Sequence, residues 1–503
     1  MLNQVSEKKA EEIKATRKEK SALDFSCLLC NDMRVPFDVQ RKTFYISLDM
    51  EEETWESLDF MSGQPEYEIL FFEDIIRYDK KEIISEGKKF PVLVYNDREY
   101  ASYYVTFSGL PLINLTTDVG IWQENIEGKA TFYDTDFTRH GIQQSEYNGH
   151  IRGNTSRMFP KKGYKINLIT DQSGVTELNK MSLFGMREDD DWILHALYND
   201  DTKIRDRLSM EIWERFGADA VSEKGYYGPK MTYVEVFADN RYCGLYGLVE
   251  PVDAKQMDLQ ELDYSYKRKN PGGLIYQYLT FSEEKNPYRE VEGFEIKEGM
   301  MSENAWQPMA DLCAWLTLTD EEFLEQQWEL VDIDSALRLW LFIQMITGHD
   351  HTAKNVYYVA RYDDELKYDY KFYFAPWDMD LTWGNVSVGE INTVYTAFEH
   401  ETVEHRVYWD VGDRLIETDH EGAKEYVQEL YKELRGTVLT DQSIKRVIYE
   451  LDSEIRNSGA FERDSVRWPE GVHASDCEQL VSYAKERLAF LDKALYDLEY
   501  YEN

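Results

Sequence analysis

No stretch of this 503-residue chain is long and apolar enough to read as a transmembrane helix. The residues ahead of Cys30 do not read as a signal peptide either. Ser6 to Lys20 is almost all Lys, Arg and Glu, with no apolar core. Cysteine is scarce. The five present, Cys27, Cys30, Cys243, Cys313 and Cys477, are odd in number and scattered, so no disulfide framework is implied. Cys27-Leu-Leu-Cys30 is a lone CxxC, and a zinc site needs a second pair. Positive charge is short as well: 56 Lys and Arg stand against 96 Asp and Glu, a net charge of −40. That balance argues against an extended nucleic-acid footprint, which needs clustered cations, and weakens a membrane-surface reading. The patterns GxGxxG, GxxxxGK[ST] and GxSxG are missing, and no internal repeat is visible.

What is present suits a packed protein. Hydrophobic residues make up 43% and aromatics 14%, and the length predicts two or three folding units. The charged start, residues 1–36, reads as a tail holding a solvated helix. From 37 to 108, short alternating runs such as TFYISLDM, KFPVLVYN and YASYYVTFSGL predict a small β-rich module. Further strands are expected at Lys129–Tyr133 and Gly163–Ile169. Tyr233–Glu250 reads as a hairpin turning at Asp239-Asn240. Thr202–Phe216 is an amphipathic helix capped by Asp200, Asp201 or Thr202. Glu211 lies at the edge of its apolar stripe, where it can reach an inward Lys or bond Arg207 or Arg215 of its own helix. The connector Pro251-Val252-Asp253-Ala254-Lys255 reads as a hinge, and Gly272–Tyr276 as a further strand. After about Asn304 the chain becomes mainly helical. Ser335–Thr347 is apolar nearly all round, with Asp334 as its expected cap.

That buried helix leads into the most informative stretch, Thr347–Asn385. Gly348-His349-Asp350-His351 is followed by Asn355. Aromatic and β-branched sequence then predicts a strand pair, after which comes Trp377-Asp378-Met379-Asp380-Leu381-Thr382-Trp383-Gly384. Asp350 and Asp378 are 378 − 350 = 28 residues apart, enough for a hairpin that folds back and brings them together. An Asp with Asn five residues on, a strand pair and a second Asp is the order of parts a protein kinase uses for metal and ATP. Asp378, Asp380 and Asn355 supply the hard oxygen donors that Mg²⁺ takes, and Asp350 is the candidate acceptor-orienting base. Other chemistries fit less well. An EF-hand loop starting at Asp378 would need Gly one position earlier and Glu in place of Gly389. A transition-metal site at His349 and His351 lacks a nearby Cys, and the two rings would point apart on a strand. A purely structural role leaves Asp378 and Asp380 capping turns. Upstream, Arg152-Gly153-Asn154-Thr155-Ser156 with Lys161, Lys162 and Lys165 offers backbone, hydroxyl and cationic donors for phosphate; a basic surface hairpin is the alternative.

Taken together, these blocks resemble the spore coat protein H (CotH) kinase family of atypical protein kinases. The matching residues are Leu110-Pro111-Leu112-Ile113, Arg152 to Ser156, and Phe159-Pro160-Lys161-Lys162-x-Tyr164-Lys165-Ile166. Further matches are Ile204-Arg205-Asp206, Tyr233 to Val236, Gly244-Leu245-Tyr246 and Glu250, Asp350-His351-x-x-x-Asn355, and Trp377-Asp378-x-Asp380-x-x-x-Gly384. The resemblance implies an α+β, divergent two-lobed kinase-like fold. Its mainly β N-lobe would span 109–250 and its mainly α C-lobe 251–503. It implies ATP with Mg²⁺ or Mn²⁺, and phosphorylation of Ser or Thr in protein substrates such as coat or cell-surface proteins. Under it, Asp350 is catalytic and Asp378, Asp380 and Asn355 are metal ligands. Lys162 or Lys165 contacts phosphate, and Arg152, Glu211 and Glu250 complete the nucleotide side. The sequence departs from ordinary kinases in lacking a Gly-rich loop, in lacking Arg between His349 and Asp350, and in carrying Asp-Met-Asp for DFG. Those departures leave AMP transfer and a non-catalytic scaffold as alternatives. Oligomeric state is unread, and spore coat, cell surface and cytoplasm stay open as locations.

Overall fold

The computed structural model describes residues 6–497 apart from 21–27, 53–54, 56, 121–123, 138–140, 154, 173–174, 218–227, 269–290, 292, 303, 353, 367, 389–394 and 420–421. Cys27, Asn154 and the expected strand at Gly272–Tyr276 lie outside the described residues. The fold is mixed α+β, with 11 α-helices among the described residues and a β-rich N-terminal region. Two compact units result, and neither is a single run of sequence. One comprises Met1–Tyr198, Met231–Glu250 and Leu451–His473; the other comprises Asn199–Lys230, Pro251–Glu450 and Ala474–Asn503.

The first unit is built from strands. Its N-terminal sheet runs in the order Phe37–Asp38, Thr43–Ser47, Glu99–Ser108, Phe90–Tyr95, Glu68–Phe71. The helix Glu7–Thr16 starts at Ser6, whose hydroxyl accepts from Lys9 N at 3.2 Å. Most of this helix is exposed, as its charges predict, yet it is also docked. Ala10 and Ile13, one turn apart, are buried with Leu70, Leu93, Tyr95 and Tyr100. Two apolar residues at that spacing suffice to dock a short helix whose remaining positions carry charge. The β-rich module packs on the strands that follow it: Phe44, Ile46, Val105 and Phe107 share one apolar core with Leu112, Tyr133, Phe237 and Tyr242.

Beyond it, an eight-stranded sheet follows the order Gln143–Arg152, Asn125–Tyr133, Leu112–Thr117, Lys230–Ala238, Arg241–Glu250, Asp191–His195, Gly163–Gln172, Val175–Leu178. Gln143–Arg152 also pairs with Gly163–Gln172, from Glu146 against Ile169 to Arg152 against Gly163. The ladder therefore closes on itself, which removes exposed strand edges over most of its length. Its interior is filled by Ile113, Tyr147, Tyr164, Trp192, Val234 and Leu248 among others, so it is a packed core. The Lys230–Ala238 and Arg241–Glu250 hairpin turns at Asp239 (φ 48°) and Asn240 (φ 60°), the two left-handed residues that a type I′ turn requires. The late helix Ala460–Arg467 belongs to this unit and docks on that hairpin. Asp464 Oδ1 accepts from Leu245 N at 2.9 Å and pairs with Lys161 Nζ at 2.7 Å. Arg463 grips Glu235 through Nη2 at 2.6 Å.

The second unit holds most of the helices and a four-stranded antiparallel sheet, Phe294–Glu298, Tyr264–Arg268, Val356–Tyr362, Tyr370–Pro376. The apolar helix Ile333–Ile346 is its centre. Leu339, Trp340, Leu341, Phe342, Ile343 and Met345 are all fully buried. Phe342 packs on Trp213 and Phe216, with ring centroids 5.0 and 5.5 Å apart. The cap is Asp332 rather than Asp334: Asp332 Oδ1 accepts from Ser335 N at 2.9 Å, while Asp334 holds Arg338 Nε at 2.8 Å. A cap must reach the third helical N–H, and the helix starts two residues earlier than its apolar run suggests. The helix predicted at Thr202–Phe216 spans Arg205–Gly217. Asp200 turns the chain ahead of it, accepting from Thr202 N at 3.0 Å and Arg205 N at 2.8 Å. Among the described residues no helix is long and apolar enough to cross a membrane.

Candidate active site

The helix Ile333–Ile346 ends at Thr347, a left-handed residue with φ 51°. Gly348 N then bonds back to Ile343 O at 3.1 Å, so the chain leaves the helix in a fixed direction. A 3₁₀ turn, His349–Thr352, carries Asp350. His349 and His351 thus sit on a turn, not on the strand that would separate their rings. Strands Val356–Tyr362 and Tyr370–Pro376 pair with Val356 opposite Pro376. The residues just beyond the ladder meet as a consequence: Trp377 N donates to Asn355 O at 2.9 Å, and Asn355 Nδ2 donates to Asp378 O at 3.1 Å. That leaves the amide oxygen of Asn355 as its end for a further partner. Asn355 (φ 63°), Asp378 (φ 56°), Trp383 (φ 52°) and Gly384 (φ 82°) are all left-handed. Non-glycine residues rarely adopt that backbone, and such residues gather where a site needs a particular direction. A Cβ at Gly384 would meet Tyr483 Cε2 at 2.8 Å and Phe398 Cε2 at 2.7 Å, so glycine is required there.

The Asp378–Asp380 turn is held from behind by residues that the sequence reading did not assign to the site. Met379 N donates to Asp206 Oδ1 at 2.9 Å, and Asn199 Nδ2 donates to Asp380 Oδ2 at 2.5 Å. Asn385 Nδ2 bonds both Asp380 O at 2.9 Å and Asn199 O at 3.2 Å. Trp383 Nε1 donates to Ser209 Oγ at 2.9 Å. The start of the Arg205–Gly217 helix and the loop ahead of it therefore fix the turn. Ile204-Arg205-Asp206 was visible as a motif, but no local pattern indicated where Asp206 points.

Charge sets the chemistry of this cluster. Burial, followed by the Asp378 and Asp206 carboxylates, holds the Asp380 carboxyl well above the ordinary aspartate range. Burial also raises Asp350, assisted by Asp378 and opposed by Lys354. Lys354 Nζ lies 2.8 Å from Asp350 Oδ2. Burial opposes the Lys354 charge, but Asp350, Asp378 and Asp380 outweigh it and hold the ammonium above its usual value. Among the described residues no group of three or more His, Cys, Asp or Glu is arranged to hold a metal ion. The donor set still fits a hard divalent cation in kind: carboxylate and amide oxygens, with neighbouring like charges that a cation would relieve.

The expected phosphate-side residues Lys162, Lys165, Glu250 and Glu211 each make contacts within their own unit. Arg152 ends its strand ahead of Gly153 (φ 103°) and the 3₁₀ turn Thr155–Met158. Lys162 Nζ donates to Arg157 O at 2.5 Å, and Lys165 Nζ lies 3.3 Å from Asp191 Oδ2. Both side chains keep solvent contact, while Lys161 is fully buried in its pair with Asp464. Glu250 Oε1 accepts from Arg187 N at 2.8 Å. Glu211 engages Arg207 Nε at 3.2 Å and Arg215 Nη2 at 3.8 Å, one turn away on either side along its own helix.

Comparison with known proteins adds one finding. A family model described as CotH kinase protein matches residues 150–491, which takes in the Arg152 loop, the Asp350 turn and the Asp378–Asp380 turn. A search of curated proteins found no match.

Proposed function

The chain belongs to the CotH kinase family, and we propose that it transfers the γ-phosphoryl group of ATP to Ser or Thr hydroxyls of protein substrates, on a divergent two-lobed kinase-like fold. Coat and cell-surface proteins are the substrate class that the family's name suggests. One observation carries the reading: the hairpin Val356–Pro376 delivers Asn355 against Asp378, beside a second carboxylate turn and close enough to Asp350 for their charges to interact.

In this proposal Asp350 orients the acceptor hydroxyl and takes its proton. Its raised affinity for protons matches that task better than an ordinary exposed aspartate would. Asp378, Asp380 and the amide oxygen of Asn355 hold Mg²⁺ or Mn²⁺. When bound, that cation neutralises charge on the phosphates. Asn199 and Asp206 keep the Asp378–Asp380 turn in place. Arg152 with Lys162 or Lys165 meets the phosphates, and Glu250 braces that side through Arg187. Glu211 belongs to the same nucleotide-side set in this reading.

The test uses the purified chain, casein as a generic acceptor, Mg²⁺ or Mn²⁺, and ATP labelled separately at the γ and α phosphates. Transfer of γ label alone supports the proposal. Transfer of α label alone replaces it with AMP transfer. ATP binding without transfer to any protein, including the chain itself, favours a non-catalytic scaffold.

A further inference from the structure

Lys354 stands immediately before Asn355 and four residues after Asp350, and the turn sets it against Asp350, a carboxylate that the proposed function uses. Its Nζ is 2.8 Å from Asp350 Oδ2, and its backbone N–H donates to Asp350 O at 2.9 Å. Residue and partner are thus locked at both backbone and side chain. Asp378 and Asp380 act on the same ammonium electrostatically. Neither partner is sealed in, with side-chain exposures of 34% for Lys354 and 26% for Asp350, so the ammonium can leave without unfolding its surroundings.

We propose that Lys354 is the internal counter-cation of the carboxylate set, holding Asp350 in the resting site and yielding its place when a divalent cation arrives. The proposal rests on the metal-site reading above. Lys354 acts through Asp350 and is a positioning residue. A resident ammonium and an incoming divalent cation compete for the same negative field. Lys354 therefore weakens cation binding in the absence of nucleotide, and the released ammonium becomes available to phosphate oxygens once a nucleotide is present.

The experiment titrates Mn²⁺ alone, without nucleotide, into the 503-residue chain and follows free Mn²⁺ by electron paramagnetic resonance. Lys354→Met should bind Mn²⁺ about five- to tenfold more tightly than the wild type, and Lys354→Arg should stay within about twofold of it. Asp378→Ala should lose the site. Unchanged affinity in Lys354→Met, with binding lost in Asp378→Ala, overturns this inference and leaves the metal site standing. Equal tightening in Lys354→Arg and Lys354→Met also overturns it, because charge would not be the cause. Saturable binding that is absent from wild type and Lys354→Met alike, or that survives Asp378→Ala, removes the metal-site reading and this inference together.

Discussion

Two acidic clusters of this protein are treated in opposite ways. In the strand-built unit, Glu235 and Asp464 are buried at 0% and 1% exposure, and each is matched by a cation and hydrogen bonds. Glu235 takes Arg463 Nε at 2.8 Å and Tyr242 Oη at 2.6 Å; Asp464 takes Lys161 Nζ at 2.7 Å and Leu245 N at 2.9 Å. In the helical unit, burial, reinforced by the like charges of neighbouring carboxylates, makes Asp350 and Asp380 hold protons more tightly than usual, and Lys354 offsets this only in part at Asp350. The first arrangement is what buried charge requires in order to persist in a fold. The second costs stability, and sites that bind cations or move protons are where such costs are found.

The comparison breaks most sharply at Asp378. Asp378→Ala should lower phosphoryl transfer roughly 10³-fold or more, with far-UV circular dichroism unchanged. An active variant would show that the metal site has been misplaced. The converse change is Lys161→Met, which leaves Asp464 buried without its cation. It should destabilise the chain by about 3–5 kcal/mol in urea unfolding, while kcat of the surviving folded protein stays near wild type. If it instead removes activity at full stability, the strand-built cluster is no mere brace.

Acid supplies a gentler probe. Burial, followed by His405 and Arg487, lowers the pKa of His349 to about 4. The unfolded histidine titrates near the ordinary value of about 6.5. Between those values the unfolded chain binds more protons than the folded one, so stability falls as pH drops from about 6.5 toward 4. His349 Nε2 is buried without a hydrogen-bond partner, so His349→Phe loses no bond there. That variant should remove about 2 kcal/mol of the acid-dependent loss, measured as the shift in urea midpoint between pH 7 and pH 4.5. The smallest effect is expected at Lys162. Lys162→Ala should change stability by no more than about 0.5 kcal/mol, because the side chain keeps solvent contact, but should raise KM for ATP. An unaltered KM in both Lys162→Ala and Lys165→Ala would remove the phosphate role from this loop.

Much of the Asp350–Gly384 stretch was legible beforehand because its signals are local. The aromatic and β-branched runs around a polar turn specify the hairpin, and its register then requires Asn355 and Asp378 to meet. Asp239-Asn240 specifies the other hairpin by the same kind of rule. The grip of Asp206 on Met379 N was not legible, since it spans 379 − 206 = 173 residues and no period or spacing encodes it. Nor was the cap at Asp332, because Asp334 stands directly ahead of the apolar run and reads as the cap.

By itself, then, the sequence determined the order of the site's parts, the hairpin that joins them, and the family; the turn that carries Asp350 came from the structure. Tertiary structure alone decided which charges are neutralised. It seals Lys161 against Asp464 while Lys162 and Lys165 keep solvent contact, and it brings Asn199, Asp206 and Lys354 to the carboxylate turns. The physical reason is that secondary structure follows from near neighbours, whereas the dielectric surroundings and partners of a charge depend on what the rest of the chain packs against it.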